Sequence, residues 1–228
     1  MKPVALILAR KGSKRILHKN RRDFCGSPLI AWPITHAQKS GLFDSIIVST
    51  DCETIAAIAA EAGAVVRMRS AHLADDHTSS LAVAAAVLAD LATPPDHPVC
   101  LLYGTSAFAL PDRLQAGYDR LLAGGVDYAF AITAYPHPIE RALSLDRRGH
   151  TRLIASEHEK TRTQDLPERY HDTGQFYWGL AGSFMAQKPV LGGQSAGVVL
   201  PRSGVWDIDT PEDWAVAEAL FNTLKEGR

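Results

Sequence analysis

The stretch Val4-Ala5-Leu6-Ile7-Leu8-Ala9-Arg10-Lys11-Gly12-Ser13-Lys14-Arg15 runs an unbroken aliphatic segment straight into a basic Gly-Ser loop. An apolar run without alternation suits a strand buried on both faces, the pattern of a parallel sheet. From Arg10 to Arg22 the chain carries seven Lys and Arg residues and no acidic one. A flexible loop at a strand end offers backbone N–H groups and its cations add positive charge, which together suit a polyphosphate. The GxxxxGK[ST] spacing of a Walker A loop is absent. A merely solvated basic loop is the alternative, and the position after the first strand favours the phosphate reading.

Outward from this segment, strand and helix signals alternate. Gly26-Ser27-Pro28 opens a helical stretch ending near Gly41, with Pro33 expected to kink it or delay its start. Strands are expected over 44–50, 64–66, 99–103 and 127–133, and helices over 55–62, 78–91 (Thr78 as N-cap) and 111–122. The stretch 135–173 is polar, with too few apolar residues for a core of its own, and reads as an insertion within one domain spanning 1–228. Such an arm either reaches a partner subunit or forms a surface loop. Strand character returns over 175–180, and a last strand over 205–208 leads into a helix from Pro211. The alternation predicts an α/β fold with a doubly wound, mostly parallel sheet and ligands at the C-terminal strand ends.

Composition narrows the function classes. The 228 residues carry a formal net charge of −1, so the basic loop is local, and general nucleic-acid binding is not expected. Cys25, Cys52 and Cys100 lack CxxC spacing, which indicates neither a disulfide framework nor a zinc site. No signal-peptide pattern and no membrane-length apolar run is present, so a cytoplasmic location without membrane attachment is expected.

The segment Asp207-Ile208-Asp209-Thr210-Pro211-Glu212-Asp213 is the second informative one. If 205–209 is extended, Asp207 and Asp209 point to one side. Thr210 then serves as N-cap, Pro211 as first helical residue and Asp213 as capping-box partner. Neighbouring carboxylates repel unless a cation or shared proton intervenes, and Mg²⁺ bound by carboxylates and substrate phosphates answers that need. Capping and solvation of the strand end is the other reading.

These segments also carry a family resemblance. Leu8-Ala9-Arg10-x-Gly12-Ser13-Lys14-Arg15-Ile16-x-x-Lys19-Asn20 resembles the opening motif of the acylneuraminate cytidylyltransferases, which join CTP to a nine-carbon 2-keto sugar acid. Val48-Ser49-Thr50-Asp51, Leu73-Ala74-Asp75-Asp76-His77-Thr78 and Asp207 to Trp214 follow in family order. Arg162-Thr163-Gln164-Asp165-Leu166-Pro167 and Tyr170-His171-Asp172-Thr173-Gly174-Gln175-Phe176-Tyr177-Trp178-Gly179 look most like the branch acting on pseudaminic acid. The resemblance implies a nucleotide-diphospho-sugar transferase-like fold whose arm makes a homodimer.

For the site, it implies that Arg10, Gly12, Ser13, Lys14 and Lys19 hold the CTP phosphates, with Lys19 and Arg10 catalytic. Asn20 and Arg69 match positions that read cytosine. Asp207 and Asp209 match ligands of Mg²⁺. Tyr103, Thr105, Arg162, Gln164, His171, Asp172 and Gln175 are expected on the side of the nonulosonic sugar acid, with Arg162 suited to its carboxylate.

The chain departs from the family pattern at four places. Lys11 stands where Gly or Ala is usual, Leu17 replaces Pro, Pro33 falls in the first helix, and Tyr103-Gly104-Thr105-Ser106-Ala107-Phe108 replaces Tyr-Ala-Thr-Ala-Pro-Phe. None removes a charged group that the chemistry needs. Alternatives are the same reaction on N-acetylneuraminic, legionaminic or 3-deoxy-manno-octulosonic acid, or a non-catalytic CTP-binding homologue. His72 and His77, flanking Asp75 and Asp76, match no standard metal-ligand spacing.

Overall fold

The structure is a computed structural model that describes residues 2–70, 73–74 and 78–226. The candidates His72, Asp75, Asp76 and His77 lie outside the described residues. The first half contains β1 (Val4–Leu8), β2 (Asp23–Phe24), β3 (Ser27–Pro28), α1 (Ala31–Ser40), β4 (Ser45–Thr50), α2 (Glu53–Glu61), β5 (Val65–Met68), α3 (Ser80–Asp90) and β6 (Pro98–Tyr103). The second contains α4 (Pro111–Leu122), β7 (Tyr128–Ala134), β8 (Leu143–Leu145), β9 (Thr151–Leu153), β10 (Tyr170–Leu180), α5 (Ala181–Met185), β11 (Ser195–Val199) and α6 (Pro211–Glu226).

Seven strands form one sheet in the order β11-β7-β10-β6-β1-β4-β5. Its pairings are parallel except around β10, which runs antiparallel between β6 and β7. The mostly parallel, doubly wound sheet anticipated from the alternation is therefore present. β1 is apolar at both parities because both of its faces are covered. Ala5, Ile7 and Ala9 enter one core with Ile34, Ile55, Leu114 and Phe221; Leu6 and Leu8 enter a second with Val83, Leu88 and Phe184. From β1 the chain winds outward through β4 and β5, then returns to set β6 on the other side of β1. Loops leaving β1 and β6 diverge there, and such a switch point is where open α/β sheets bind ligands.

Three expectations are corrected. Pro28 lies in β3, and the first helix starts at Ala31; Pro33 falls in its first turn, where its missing N–H has no intrahelical partner to lose. Ser79, not Thr78, caps α3, its side chain accepting from Ala82 N–H at 3.1 Å. No strand forms over 205–208. The sheet edge beside β7 is taken by β11, paired over Ser195–Val199, which its small residues hid in the sequence. A Cβ at Gly197 in that strand would run into the tip of the Ile132 side chain, which would have to move aside.

The stretch 135–169 leaves the sheet and carries the β8–β9 hairpin and three short 3-10 turns. Leu143, Leu145 and Ile154 are exposed on it, while Arg169 Nε pairs with Glu140 Oε1 at 3.1 Å near its root.

Candidate active site

The loop after β1 is shaped by its neighbours. Ala9 N–H donates to Ser49 O at 3.1 Å and Gly104 N–H to Leu8 O at 2.9 Å, so the ends of β4 and β6 clamp the exit of β1. Lys11 N–H donates to Asp51 Oδ1 at 2.6 Å. Ile16 is buried and anchors the loop, whereas Leu17, in place of the family's Pro, is exposed. A 3-10 turn at Lys19–Arg21 then aims Lys19 back toward the sheet. A cavity of about 590 Å³ opens here, lined by Arg10, Ser13, Lys14, Lys19, Asn20 and Asp209 among others.

Asn20 Nδ2 donates to Arg10 O at 3.0 Å, and its buried Oδ1 has no partner among the described residues. That acceptor lies across Gly104, where a Cβ would stand 2.7 Å from Oδ1 and 3.0 Å from Ala9 Cβ. Gly104 thus accommodates this pose of Asn20. Gly104→Ala is expected to shift Asn20 at an overpacking cost of about 1–3 kcal/mol. An unchanged denaturation midpoint would show that Asn20 needs no such room. Arg69 directly follows β5 and reaches across to β4, donating to Ser49 O at 3.0 Å and Ser49 Oγ at 3.3 Å. Burial lowers its guanidinium pKa; Asp51 opposes this and nearby Arg10 adds to it.

Asp207 and Asp209 reach the site by a route other than strand alternation. Val205 and Ile208 are buried, and the chain between them is pinned by contacts at Gly204, Trp206 and Ile208. Arg113 donates to Gly204 O, Gln175 Nε2 to Trp206 O at 3.4 Å and Lys19 Nζ to Ile208 O at 2.5 Å. Asp209 opens into the basic cavity, and Asp207 into an adjoining one of about 890 Å³. Two residues apart in the chain, the carboxylates thus line two different cavities. The capping box does form: Asp213 accepts from Thr210 N–H and Oγ1, both at 2.8 Å, and Asp213 N–H donates to Thr210 Oγ1 at 3.1 Å. It fixes the helix start directly after Asp209.

Asp209 Oδ1 receives Arg15 Nη2 at 2.8 Å and Lys19 Nζ at 3.4 Å. Asp207 has no such compensation. Surrounding protein, then the Asp209 charge, raise its pKa, with Lys19 opposing and Asp172 adding to the rise. Among the described residues no group of three or more His, Cys, Asp or Glu is placed to hold a metal. A cation here would rest on Asp207, Asp209 and ligand phosphates, the mode Mg²⁺ adopts, and the donor set fits it.

A raised folded-state pKa means that the group favours folding below its unfolded value of 3.8 and loses that contribution as pH rises through the folded value. Asp207 is exposed, so solvent screening keeps the effect small: Asp207→Asn is expected to raise the melting temperature at pH 7 only slightly, with the gain gone near pH 3. A lower melting temperature at pH 7 would mean that Asp207 is compensated in the fold.

The wider cavity is lined by Thr133, His171, Asp172, Arg202, Trp206 and Asp207, among others. A register shift in β10 between Asp172 and Tyr177 turns Asp172 inward. Gly174 N–H donates to its Oδ1 at 2.9 Å and Tyr177 OH to its Oδ2 at 2.5 Å.

Of the residues expected on the sugar side, His171 and Asp172 line this cavity, whereas Tyr103 and Thr105 line the basic one instead. Gln175 faces neither. It is buried, accepting from Phe108 N–H at 3.0 Å and donating to Thr173 O at 3.2 Å, and so braces the bulge. Arg162 and Gln164 stay exposed on the arm, and Arg162 is engaged by Asp165 through contacts of 2.7 and 3.2 Å. Sequence reasoning missed Thr133, Trp206 and Arg202. Thr133 was findable as a residue near the C-terminal end of a strand; the other two sit in a loop with no spacing signal.

Known proteins place this geometry in a family. A family model described as cytidylyltransferase matches residues 4–185. The pseudaminic acid cytidylyltransferase of Campylobacter jejuni subsp. jejuni is 37% identical over 230 residues, covering 99% of both chains. A Helicobacter pylori protein, a pseudaminic acid cytidylyltransferase and UDP-2,4-diacetamido-2,4,6-trideoxy-beta-L-altropyranose hydrolase, is 34% identical over 99% of this chain and 44% of its own. The N-acylneuraminate cytidylyltransferase B of Danio rerio is 30% identical over 94% of this chain and 50% of its own. Among solved structures, a CMP:2-keto-3-deoxy-manno-octonic acid synthetase complexed with CTP matches with a TM-score of 0.73 at 15% identity, covering 98% of this chain and 100% of that one. That likeness concerns the fold. The extent of the family match and the full-length relatives lead to one conclusion: the chain belongs to the cytidylyltransferase family.

Proposed function

We propose that this protein joins CTP to pseudaminic acid, releasing pyrophosphate and forming the CMP-sugar. One observation carries the reading: Asp209 lines a basic cavity and Asp207, two residues earlier, lines a second and larger one, as a reaction between a triphosphate and a second substrate requires. The full-length likeness to the Campylobacter pseudaminic acid enzyme supports the choice of sugar.

In this reading Arg10, Gly12, Ser13 and Lys14 hold the phosphates of CTP. Asn20 Oδ1 and Arg69 meet the cytosine edge, where an amine needs an acceptor and a carbonyl a donor. The anomeric hydroxyl of the sugar attacks the α-phosphorus, a new P–O bond forms, and the bond to the β-phosphate oxygen breaks as pyrophosphate leaves. Lys19, fixed by Ile208 O, is aimed where charge develops on the phosphorus oxygens. Asp207 and Asp209 would hold Mg²⁺, which supplies neutralisation of phosphate charge and orientation of the reacting groups. His171 and Asp172 line the sugar side, and positioning of both substrates lowers the barrier.

The 135–169 arm pairs two copies in this reading, its exposed Leu143, Leu145 and Ile154 covered by the partner. Light scattering should give twice the chain mass, and the mass of a single chain would remove the dimer. Among the described residues no helix is long and apolar enough to cross a membrane; a cytoplasmic location is part of this proposal. Pyrophosphate release from CTP, Mg²⁺ and pseudaminic acid tests the function. Tight CTP binding with no release from any nonulosonic acid would favour a non-catalytic binding protein.

A further inference from the structure

We propose that Arg202 is the residue that recognises the carboxylate of the sugar acid; this deepens the reading above and rests on it. The charge of the wider cavity poses the problem. Asp172, Asp207 and Asp213 all line it, and the incoming sugar is itself an anion. Asp213 is satisfied by Thr210, and Asp172 by Tyr177 and Gly174. Asp207 has no direct ion pair among the described residues, and the Mg²⁺ it would share with Asp209 would be taken up by the CTP phosphates. A carboxylate entering such a space is repelled unless a cation meets it.

Arg202 is the single Lys or Arg among the described residues lining this cavity. It opens the 3-10 turn Arg202–Gly204, which Arg113 holds through Gly204 O and which closes on itself by Gly204 N–H to Pro201 O at 2.9 Å. The backbone under Arg202 is therefore braced from the core, while its side chain is exposed. Among the described residues no hydrogen bond or ion pair engages its guanidinium. A guanidinium presents parallel N–H donors that match a carboxylate in a bidentate pair. Trp206, on the same loop, lines the same cavity and adds apolar surface to it.

Arg162, the sequence candidate for this role, is differently placed. Its Nε and Nη2 are both committed to Asp165, and it lines neither cavity of its own chain. It could act only by leaving that pair and crossing to another subunit. Arg202 needs neither step.

The test is steady-state kinetics of the full chain with CTP, Mg²⁺ and pseudaminic acid, comparing wild type with Arg202→Gln, Arg202→Lys and Arg162→Ala. Each is also assayed with the methyl ester of the sugar acid. Loss of a hydrogen bond to a charged group corresponds to about a ten- to hundredfold change. Arg202→Gln is expected to raise the sugar KM by that factor, leave the CTP KM within about twofold, and abolish the preference for the acid over its ester. Arg202→Lys should recover part of the preference, because charge without fork geometry remains. An Arg202→Gln enzyme with unchanged sugar KM, or with the acid preference intact, overturns the assignment; so does transfer of the whole effect to Arg162→Ala. If the wild type forms no CMP-sugar from the acid, the functional reading itself falls, an outcome distinct from a wild type active with Arg202 silent.

Discussion

Asp209→Asn is expected to lower kcat by about a hundred- to a thousandfold, the range seen when a group facing developing charge is removed, while the protein stays folded. Asn matches Asp in shape, and the side chain is 39% exposed, so packing does not change. The contacts it weakens, Arg15 at 2.8 Å and Lys19 at 3.4 Å, are partly solvent-exposed pairs. Such pairs contribute about 0–1 kcal/mol to stability. Their loss is further offset by the relief of repulsion with Asp207. Turnover is different, because the carboxylate lines the basic cavity beside Lys19. The Mg²⁺ concentration for half-maximal rate should rise with the fall in kcat, and circular dichroism should be unchanged. An Asp209→Asn enzyme with normal kcat and normal Mg²⁺ dependence would exclude Asp209 from the metal-holding pair.

Trp178→Ala is expected to cost about 3–5 kcal/mol of stability, the range for deleting a fully buried aromatic side chain. Against a total of about 5–15 kcal/mol for a folded domain, this is enough to unfold much of the protein on modest warming. Trp178 lies in β10 at 0% exposure, stacked on Phe43 at 5.4 Å and on Tyr118 at 4.9 Å. Its ring thus joins the antiparallel strand to helix α4 and to the turn before β4. The indole N–H is buried without a partner among the described residues, so Trp178→Phe removes an unsatisfied donor while keeping an aromatic ring. Denaturant titration should place Trp178→Phe much nearer wild type than Trp178→Ala. Equal losses for both would mean that the indole N–H, rather than ring packing, matters here.

The central fold was legible because its signal is local. Val4 to Ala9 is apolar at both parities, and two cores claim alternate residues of it. Gly41 ends α1 in the left-handed conformation at φ 65° that its helix-stop reading requires. The capping box at Thr210 and Asp213 was legible for the same reason, since all its partners lie within three or four residues. Pairing across the sheet was not. The last strand expected over 205–208 does not form, while β11 takes the sheet edge beside β7, and no local pattern decides which of two short segments joins a sheet.

The candidate site divides along the same line. The basic loop could be placed because position after the first parallel strand fixes where it must lie. The sugar side could not, since it is assembled from the bulge in β10, the end of β7 and the 3-10 turn before Asp207. Gln175 illustrates the difficulty: its place beside Asp172 in the sequence suggests a ligand contact, but the bulge turns it inward as a brace. Strand alternation anticipated Asp207 and Asp209 on one side, yet no strand forms there and the two carboxylates line different cavities on either side of buried Ile208 in the sequence.

The decisive measurement is pyrophosphate release from CTP with pseudaminic acid and, separately, with N-acetylneuraminic acid, each with Mg²⁺ and with EDTA. Release with pseudaminic acid, abolished by EDTA and absent or far slower with N-acetylneuraminic acid, is the expected result. No release with pseudaminic acid from a protein that binds CTP would contradict the assigned reaction, and release with N-acetylneuraminic acid alone would contradict the assigned sugar.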